Sequence, residues 1–207
     1  VYSVKLVVTT DVNCKDSGTM PINIFAKPDA KFGLTTTCVG DTTKTLDYSS
    51  VAPPESFQYY IWDFGDKTKP DTFGSAPFND IHGYNNTGVY KVLLKLITFN
   101  GCTDTQAVWH RIHPNPTPKY QVKEVCFGDT TRMRRIIDKY PRKDSMNWNW
   151  YIDGFAVSSD STFKGVLAAP GVHNATLIGT SKAGCIDSTK GVFQVYYVPK
   201  STIGIDK

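Results

Sequence analysis

Apolar and polar residues alternate along several short runs of this chain, which is the pattern of half-buried β-strands. In the longest run, residues 89–99, alternate positions are apolar or threonine, and Lys91 and Lys95 mark the wetter face. No stretch combines a sustained helical period with capping residues. The residues before and after this run predict further strands at 31–36, 43–48, 57–64 and 105–112.

A set of landmarks recurs along the chain at fixed spacing. A cysteine follows an aromatic residue or a histidine by 12 residues three times, at Cys14, Cys102 and Cys185. A second cysteine phrase appears as TCVGDTT at Cys38 and VCFGDTT at Cys126, each followed 24 residues later by a tryptophan. The periods of 88 and 83 residues are those of an internal repeat whose unit is a small domain.

The repeat predicts the domain organisation. Residues 1–27 are the C-terminal strands of a truncated domain, 28–115 and 116–200 are complete domains, and 201–207 begin a further segment or linker. We expect the chain to be an excerpt from a longer array. Short strands with frequent turns predict an all-β fold of tandem β-sandwiches, and the proline-bearing links between them predict a rod-like array.

Composition narrows the class of protein. The 207 residues are 40% hydrophobic and 13% aromatic, enough for two ordinary cores. A net charge of +4 is too mild to favour nucleic acid as a partner. No apolar run approaches the length of a transmembrane helix, so we expect no membrane-spanning segment.

The five cysteines follow the repeat. Each complete repeat holds two, which predicts the disulfides Cys38–Cys102 and Cys126–Cys185, and leaves Cys14 unpaired because its partner lies upstream. Cys38 precedes the second strand and Cys102 follows the hairpin turn, so we expect both at one end of the sandwich. Closing such a loop stabilises a domain by roughly 4 kcal/mol and indicates an oxidising compartment. A metal site needs clustered ligands, which these spacings lack.

The second repeat also contains WDFGD at 62–66 and HGYNNTGVY at 82–90. These phrases resemble the PKD (polycystic kidney disease) domain. That family usually has glycine where this chain has Lys67, and the third repeat departs further, with Gly165 and Leu167 at the His-x-Tyr positions, so it is better described as a divergent PKD- or Ig-like domain. The matching residues of the second repeat are Trp62, Asp63, Phe64, Gly65, Asp66, His82, Tyr84, Gly88 and Tyr90.

The paired cysteine phrases resemble the PKD arrays of very large secreted Bacteroidota proteins. In those, the family serves as a surface module of adhesins, including gliding-motility adhesins, and as a spacer in secreted hydrolases. The resemblance implies a non-catalytic module at the cell surface, outer-membrane-associated or secreted, whose partners are the neighbouring domains of its own chain, with surface proteins or polysaccharide as further partners. The alternatives are an accessory segment of a secreted hydrolase and a surface glycan-binding protein.

Asp63 and Asp66 are candidates for a paired-carboxylate site or a calcium site. A tight turn in which Gly65 takes an unusual φ is the first interpretation, and a calcium site is the alternative. We expect His82 to pin the following loop by a hydrogen bond. No serine or cysteine nucleophile can be assigned a matching base, so no catalytic residue, no metal ligand and no cofactor is predicted.

Two surface features remain. Arg132, Arg134 and Arg135, with the aromatic Trp109, form a candidate patch for acidic polysaccharide or a protein partner, and a solvated sheet face is the alternative. Five Asp-Ser/Thr segments resemble the O-glycosylation sequon of exported Bacteroidota proteins, although Asp-Thr also suits turns at strand starts. The candidate hydroxyls are Thr42, Thr130, Ser145, Ser161 and Ser188.

Overall fold

The computed structural model describes residues 1–74, 79–136 and 146–203, and in that part of the chain the regular elements are all β-strands. The strands of the first and second repeats are β1 (Tyr2–Thr9), β2 (Lys15–Ile22), β3 (Phe32–Leu34), β4 (Thr37–Cys38), β5 (Thr42–Asp47), β6 (Phe57–Asp63), β7 (Asp71–Phe73), β8 (Ile81–Gly83), β9 (Gly88–Thr98) and β10 (Thr103–His113). Those of the third are β11 (Tyr120–Lys123), β12 (Val125–Cys126), β13 (Thr131–Arg135), β14 (Asn147–Ile152), β15 (Phe155–Ser158), β16 (Thr162–Gly165), β17 (Gly171–Thr180) and β18 (Ile186–Tyr196).

The second repeat is a β-sandwich. Its larger sheet has the order β4-β10-β9-β6-β7 and its smaller sheet the order β3-β5-β8. Along β9 the predicted alternation is confirmed, because Val92, Leu94 and Leu96 are fully buried while Lys91 and Lys95 are exposed. The hydrophobic pattern therefore fixes which face of this strand meets the core.

Trp62 on β6 lies at the centre of that core. Its ring meets Phe32 of the smaller sheet edge to face, with ring centroids 4.9 Å apart. Phe64 and Tyr60 are buried beside it. This aromatic contact joins the two layers of the sandwich.

The third repeat has the same architecture. Its larger sheet has the order β12-β18-β17-β14-β15 and its smaller sheet the order β11-β13-β16. Trp150 on β14 is fully buried and meets the Tyr120 ring edge to face at 5.5 Å. The buried cluster around it contains Met133, Trp150, Ile152, Phe163, Ala175, Leu177, Phe193 and Val195.

The first repeat contributes one hairpin, formed by β1 and β2 in an antiparallel two-stranded sheet. Every residue of both strands is exposed. The chain divides into two compact units, one of residues 1–35, 42–84 and 88–111, the other of residues 36–41, 85–87 and those from 112 onward. The domain boundaries taken from the repeat stay predictions.

The predicted cysteine pairs are wrong. The structure bonds Cys38 to Cys185, with Cα atoms 5.6 Å apart, and both lie in the second compact unit. Cys38 pairs in register with His113 at the end of β10, whereas Cys102 directly precedes the start of β10. Ten residues of extended strand separate these two ends by about 33 Å. The expectation that both cysteines lie at one end of the sandwich is therefore also wrong.

The third repeat excludes its predicted pair in the same way. Cys126 is in register with Tyr196 at the end of β18, and Cys185 directly precedes the start of that strand. The two cysteines again lie about 33 Å apart along the strand. Cys14, Cys102 and Cys126 are unbonded.

Candidate functional site

The turn between β9 and β10, residues 98–102, ends in Cys102 and is closed by three hydrogen bonds. The Thr98 N–H donates to the Cys102 carbonyl (2.9 Å), and the Gly101 N–H donates to the Thr98 carbonyl (2.9 Å). The Cys102 N–H donates to the Thr98 hydroxyl (3.1 Å). Gly101 has a φ of 79°, which glycine adopts without steric strain. We name this arrangement the cysteine turn.

The cysteine turn occurs in all three repeats. Residues 10–14 form the same three hydrogen bonds, at 2.9, 3.0 and 3.1 Å, and residues 181–185 form them at 2.8, 2.9 and 3.0 Å. The left-handed residue is Asn13 in one (φ 64°) and Gly184 in the other (φ 88°). The turn therefore presents its cysteine in one backbone geometry each time.

The second cysteine phrase folds into a different element, which we name the cysteine loop. In residues 38–41 the Asp41 N–H donates to the Cys38 carbonyl (3.0 Å), with Gly40 at φ 87° in the third position, as in a type II turn. The Val39 N–H donates to the His113 carbonyl (2.8 Å), which ties the loop to the end of β10.

The third repeat copies the cysteine loop at residues 126–129. The Asp129 N–H donates to the Cys126 carbonyl (3.0 Å), and the Phe127 N–H donates to the Tyr196 carbonyl (2.8 Å). Gly128 takes the left-handed conformation with φ 93°. Cys126 thus has the backbone setting of Cys38.

The disulfide joins a cysteine loop to a cysteine turn. Cys38 comes from the loop of the second repeat and Cys185 from the turn of the third, 147 residues apart in sequence. Both are buried, at 9% and 1% exposed. Cys14 and Cys126 are exposed and Cys102 is half-buried.

The WDFGD segment forms the tight turn that the sequence predicts. The Gly65 N–H donates to Asp63 (2.9 Å), and the Thr68 N–H and hydroxyl both donate to Asp66 Oδ1. His82 Nε2 lies 2.8 Å from Asp66 Oδ2, so the expected pinning bond of His82 is confirmed. Both oxygens of Asp66 are thereby occupied within the loop. Calcium binding there stays a hypothesis.

Aromatic packing completes this motif. The His82 ring stacks on Phe64 at a centroid distance of 4.0 Å, and the Tyr84 hydroxyl donates to the Phe64 carbonyl (3.0 Å). Tyr90, two residues after Gly88 on β9, packs on Tyr84 at 4.4 Å. These contacts assign the PKD-like residues to holding the loop against the sheet.

The electrostatics of the motif favour an ionised Asp66. Burial acts to raise the pKa of the Asp66 carboxyl, but the hydrogen bonds from Thr68 and His82 outweigh burial and lower it. The carboxylate is therefore the form that the folded loop stabilises.

The third repeat builds a different His–carboxylate pair. His173 Nδ1 lies 2.7 Å from Asp153 Oδ2, and His173 Nε2 lies 3.0 Å from the Ala169 carbonyl. Both partners accept hydrogen bonds when Asp153 is ionised, so this geometry favours the protonated imidazole, in which both ring nitrogens donate. The hydrogen bond to Asp153 accordingly raises the pKa of His173.

The smaller sheet of the third repeat carries a row of cations on its outer face. Lys123, Arg132 and Lys164 are register partners on β11, β13 and β16, and Arg134 follows on the same face of β13. All four are exposed. They line a shallow groove of about 440 Å³ together with Gln121, Val122 and Thr162.

The predicted patch is divided by the structure. Arg132 and Arg134 belong to the row, whereas Arg135 alternates off that face and lies 4.5 Å above the Trp148 ring. Trp109 is 70% exposed on β10, in the other compact unit.

The candidate glycosylation residues that the structure describes are exposed: Thr42, Thr130, Ser161 and Ser188. Ser145 lies outside the described residues. Exposure is what a glycosyltransferase requires, and the modification itself stays a prediction.

Within residues 1–74, 79–136 and 146–203, no group of three or more His, Cys, Asp or Glu side chains is arranged to hold a metal ion. The same part of the chain contains no helix of the length and hydropathy that crosses a bilayer.

The sequence patterns alone did not predict all the residues of the cysteine elements and of the cation row. A hydroxyl residue lies four positions before each turn cysteine, at Thr10, Thr98 and Ser181. This spacing could have predicted the cysteine turn. Lys123 and Lys164 join the row only through strand register, which local spacing does not reveal.

Comparison with known proteins finds a family match for one segment of the chain. Residues 25–112 match the model of the PKD domain family. This segment contains all the motif residues of the second repeat, so the resemblance stated from the sequence is confirmed there. Among proteins with curated descriptions, none matches the chain.

Solved structures of several β-sandwich modules are similar to the chain. The PKD1 domain of Vibrio anguillarum Epp is 23% identical, over 42% of this chain and 95% of its own, with a TM-score of 0.37. The PKD1 domain of the Vibrio cholerae metalloprotease PrtV is 23% identical, over 42% and 98%, with a TM-score of 0.36. The fibronectin(III)-like modules of Clostridium thermocellum CbhA are 10% identical, over 86% and 100%, with a TM-score of 0.44.

Proposed function

We propose that this chain is a non-catalytic extracellular structural segment, a spacer or adhesin stalk made of tandem β-sandwich repeats. The observation that carries the proposal is the Cys38–Cys185 disulfide, which joins a residue of one repeat to a residue of the next. A bond of this kind persists in an oxidising environment, outside the cell or in a comparable compartment. It closes a covalent loop that begins in the second repeat and ends in the third.

The uses of the polar side chains support a structural role. The two His–carboxylate pairs, His82 with Asp66 and His173 with Asp153, each fix a loop beside a strand. Such pairs perturb pKa values in structural networks as well as in active sites. A PKD domain at residues 25–112 agrees with a module that spaces or presents other parts of a surface protein.

Surface labelling of the cells that make the protein tests this proposal. Antibodies raised against the 207-residue chain are applied to intact cells and to permeabilised cells. We expect labelling of the intact cells, removed by an added protease that does not cross membranes. Labelling that requires permeabilisation would overturn the extracellular assignment.

A second function, binding of acidic polysaccharide, is favoured by the cation row on β11, β13 and β16. Like charges directly opposite each other on adjacent strands destabilise a sheet. Lys123, Arg132 and Lys164 form such a series. A polyanion lying along the groove relieves this repulsion and bonds Arg132 and Arg134 through their guanidinium groups.

The variant Arg132→Gln with Lys164→Gln tests the binding proposal. We expect about a tenfold or greater loss of affinity for a uronate or sulfated polysaccharide, since each lost charge-assisted bond contributes about 1.5–3 kcal/mol. The control Lys91→Gln with Lys95→Gln removes two exposed cations of β9 and leaves affinity unchanged. Equal effects of the two variants, or equal binding to a neutral glucan, would contradict a site at this row.

A further inference from the structure

The disulfide uses only one of the loop cysteines and one of the turn cysteines that the chain presents. Cys38 and Cys126 each lie in a cysteine loop of the same geometry. In each loop the N–H of the next residue donates to a carbonyl at the end of a long strand, His113 of β10 or Tyr196 of β18. Cys185, Cys102 and Cys14 share the cysteine turn, with the same three hydrogen bonds. Equivalent backbones present equivalent sulfur atoms.

The unbonded cysteines cannot form disulfides within their own repeats. About 33 Å of strand separates the loop cysteine from the turn cysteine of one sandwich. A disulfide requires Cα atoms about 4.4–6.8 Å apart. A loop cysteine therefore pairs with a turn cysteine of a different repeat, as Cys38 does with Cys185.

We infer that Cys126 and Cys102 are the two halves of this same link toward further copies of the repeat. Cys126 forms a disulfide with the turn cysteine of a following repeat, and Cys102 forms one with the loop cysteine of a preceding repeat. Cys14, in the same turn, is linked like Cys102. The partner in each case is another copy of this repeat, and the inference deepens the proposed structural role on which it rests.

The bond requires an oxidant, which is a protein disulfide donor. The Cys126 thiolate attacks the donor disulfide, one donor sulfur leaves as a thiolate, and a mixed disulfide forms. The thiolate of the turn cysteine then attacks the Cys126 sulfur and expels the second donor thiolate. The two protein thiols lose two protons and two electrons, and the donor disulfide becomes a dithiol.

The exposure of the sulfur sites agrees with this order of events. Cys126 and Cys14 are exposed and Cys102 is half-buried, whereas the bonded Cys38 and Cys185 are buried. An accessible thiol is open to the donor. Burial follows once the loop and the turn have met.

A disulfide map of the protein isolated from its source tests the inference directly. Free thiols are blocked with N-ethylmaleimide before digestion, and linked peptides are identified without reduction. We expect Cys126 in a peptide joined to another that carries a hydroxyl residue four positions before its cysteine. Alkylated Cys126, or Cys126 joined to a second loop cysteine, would overturn the inference.

The same map separates this inference from the proposed function. Loss of the Cys38–Cys185 link in the native protein would remove the observation on which the structural role rests. An intact Cys38–Cys185 link with alkylated Cys126 leaves that role standing and refutes the link to further repeats alone.

A mixing experiment tests the pairing with a second copy of the chain as the partner. One chain carries Cys126→Ser, and the other carries Cys14→Ser with Cys102→Ser. In a glutathione redox buffer we expect a covalent heterodimer through Cys126 and a turn cysteine, lost on reduction. Docking raises the effective concentration, so we expect about tenfold more heterodimer than Cys126–Cys126 homodimer.

A matched control places an exposed thiol beside the loop. The control chain replaces the Cys14→Ser/Cys102→Ser partner and carries Thr130→Cys together with Cys126→Ser. Thr130 is exposed and lies four residues after Cys126. We expect this thiol, with Cys14 and Cys102 also changed to serine, to give only random dimers. Equal yields from Thr130→Cys and from Cys126 would show that exposure alone governs the bonding.

Discussion

Lys67 occupies a backbone conformation that glycine adopts freely and lysine does not. Its φ is 73°, in the loop after β6. A left-handed conformation strains a residue with a Cβ by about 1–2 kcal/mol. The hydrogen bonds of Asp63 and Asp66 hold the loop in place despite this strain.

Lys67→Gly is expected to stabilise the chain. Relief of the strain exceeds the extra entropy that glycine has in the unfolded chain, so the free energy of unfolding rises by up to about 1 kcal/mol. Chemical denaturation measures the change. Lys69→Gly, which is two residues away and lacks a left-handed φ, serves as the control and is expected to lower stability slightly.

Gly65 is expected to resist substitution. Its φ is 73°, and an added Cβ meets the Lys91 carbonyl oxygen at 2.5 Å. Gly65→Ala therefore combines backbone strain with a clash against the backbone of β9, and destabilises by about 2 kcal/mol or more. Gly83→Ala, which meets no atom within 4 Å, is the control for loss of a glycine. A small, equal effect of both variants would contradict the close approach to β9.

The His173–Asp153 pair predicts a stability that depends on pH. The pKa of His173 is raised above 6.5 by its hydrogen bond to Asp153, so this contribution is complete below pH 6.5 and declines as pH rises through the raised pKa. Burial acts to raise the pKa of Asp153, but the bonds from His173 and Asn174 lower it below 3.8. That contribution is present above pH 3.8 and declines as pH falls through the lowered pKa.

Denaturant unfolding across a series of pH values checks this dependence. His173→Gln keeps a hydrogen-bonding side chain but cannot be charged, and is expected to remove the decline above pH 6.5. An unchanged pH profile in His173→Gln would show that another group titrates there.

At the scale of single elements, the cysteine turn depends on its hydroxyl residue. Thr98 is fully buried and accepts the N–H of Cys102. Thr98→Val leaves that N–H without a partner and is expected to lower the free energy of unfolding by about 1 kcal/mol. Thr98→Ser retains the hydroxyl and serves as the control, measured by the same denaturation. A smaller effect for valine than for serine would assign the role of Thr98 to packing.

The longer strands were predictable because their faces alternate. The predicted strands at 57–64, 89–99 and 105–112 agree with β6, β9 and β10, since a long strand with one buried face carries its own register. The short strands β4, β7 and β8 were missed, because two or three residues hold no periodicity. The smaller strands β3 and β5 were predicted a residue or two too long or displaced.

Because β4 was not predicted, the position of Cys38 was predicted wrongly. This strand pairs in parallel with the far end of β10 and so carries Cys38 away from the Cys102 turn. Sequence order alone placed the two cysteines together. The pairing of Cys38 depends on a long-range contact, and local patterns contain no information about such contacts.

At the scale of the whole molecule, the disulfide is expected to be the largest single contribution to stability. Closing a loop of 147 residues removes unfolded-chain entropy worth about 5 kcal/mol in the loop-entropy model. Cys38→Ser with Cys185→Ser is expected to lose most of this, measured by guanidinium unfolding without reductant. Cys102→Ser with Cys126→Ser removes two unbonded thiols of the isolated chain and is expected to change nothing.

The same closed loop governs how the chain responds to tension. In the chain taken by itself, a pull applied at its two ends passes from Cys38 to Cys185 through the sulfur atoms and leaves the 147-residue span between them unloaded. About 500 Å of polypeptide contour length is therefore unavailable for extension. Both complete sandwiches contribute most of their strands to this shielded span. Strands β3 and β18 lie outside this span and bear the load directly. The strands between the two cysteines are shielded until a reductant opens the bond, and the same segment then lengthens.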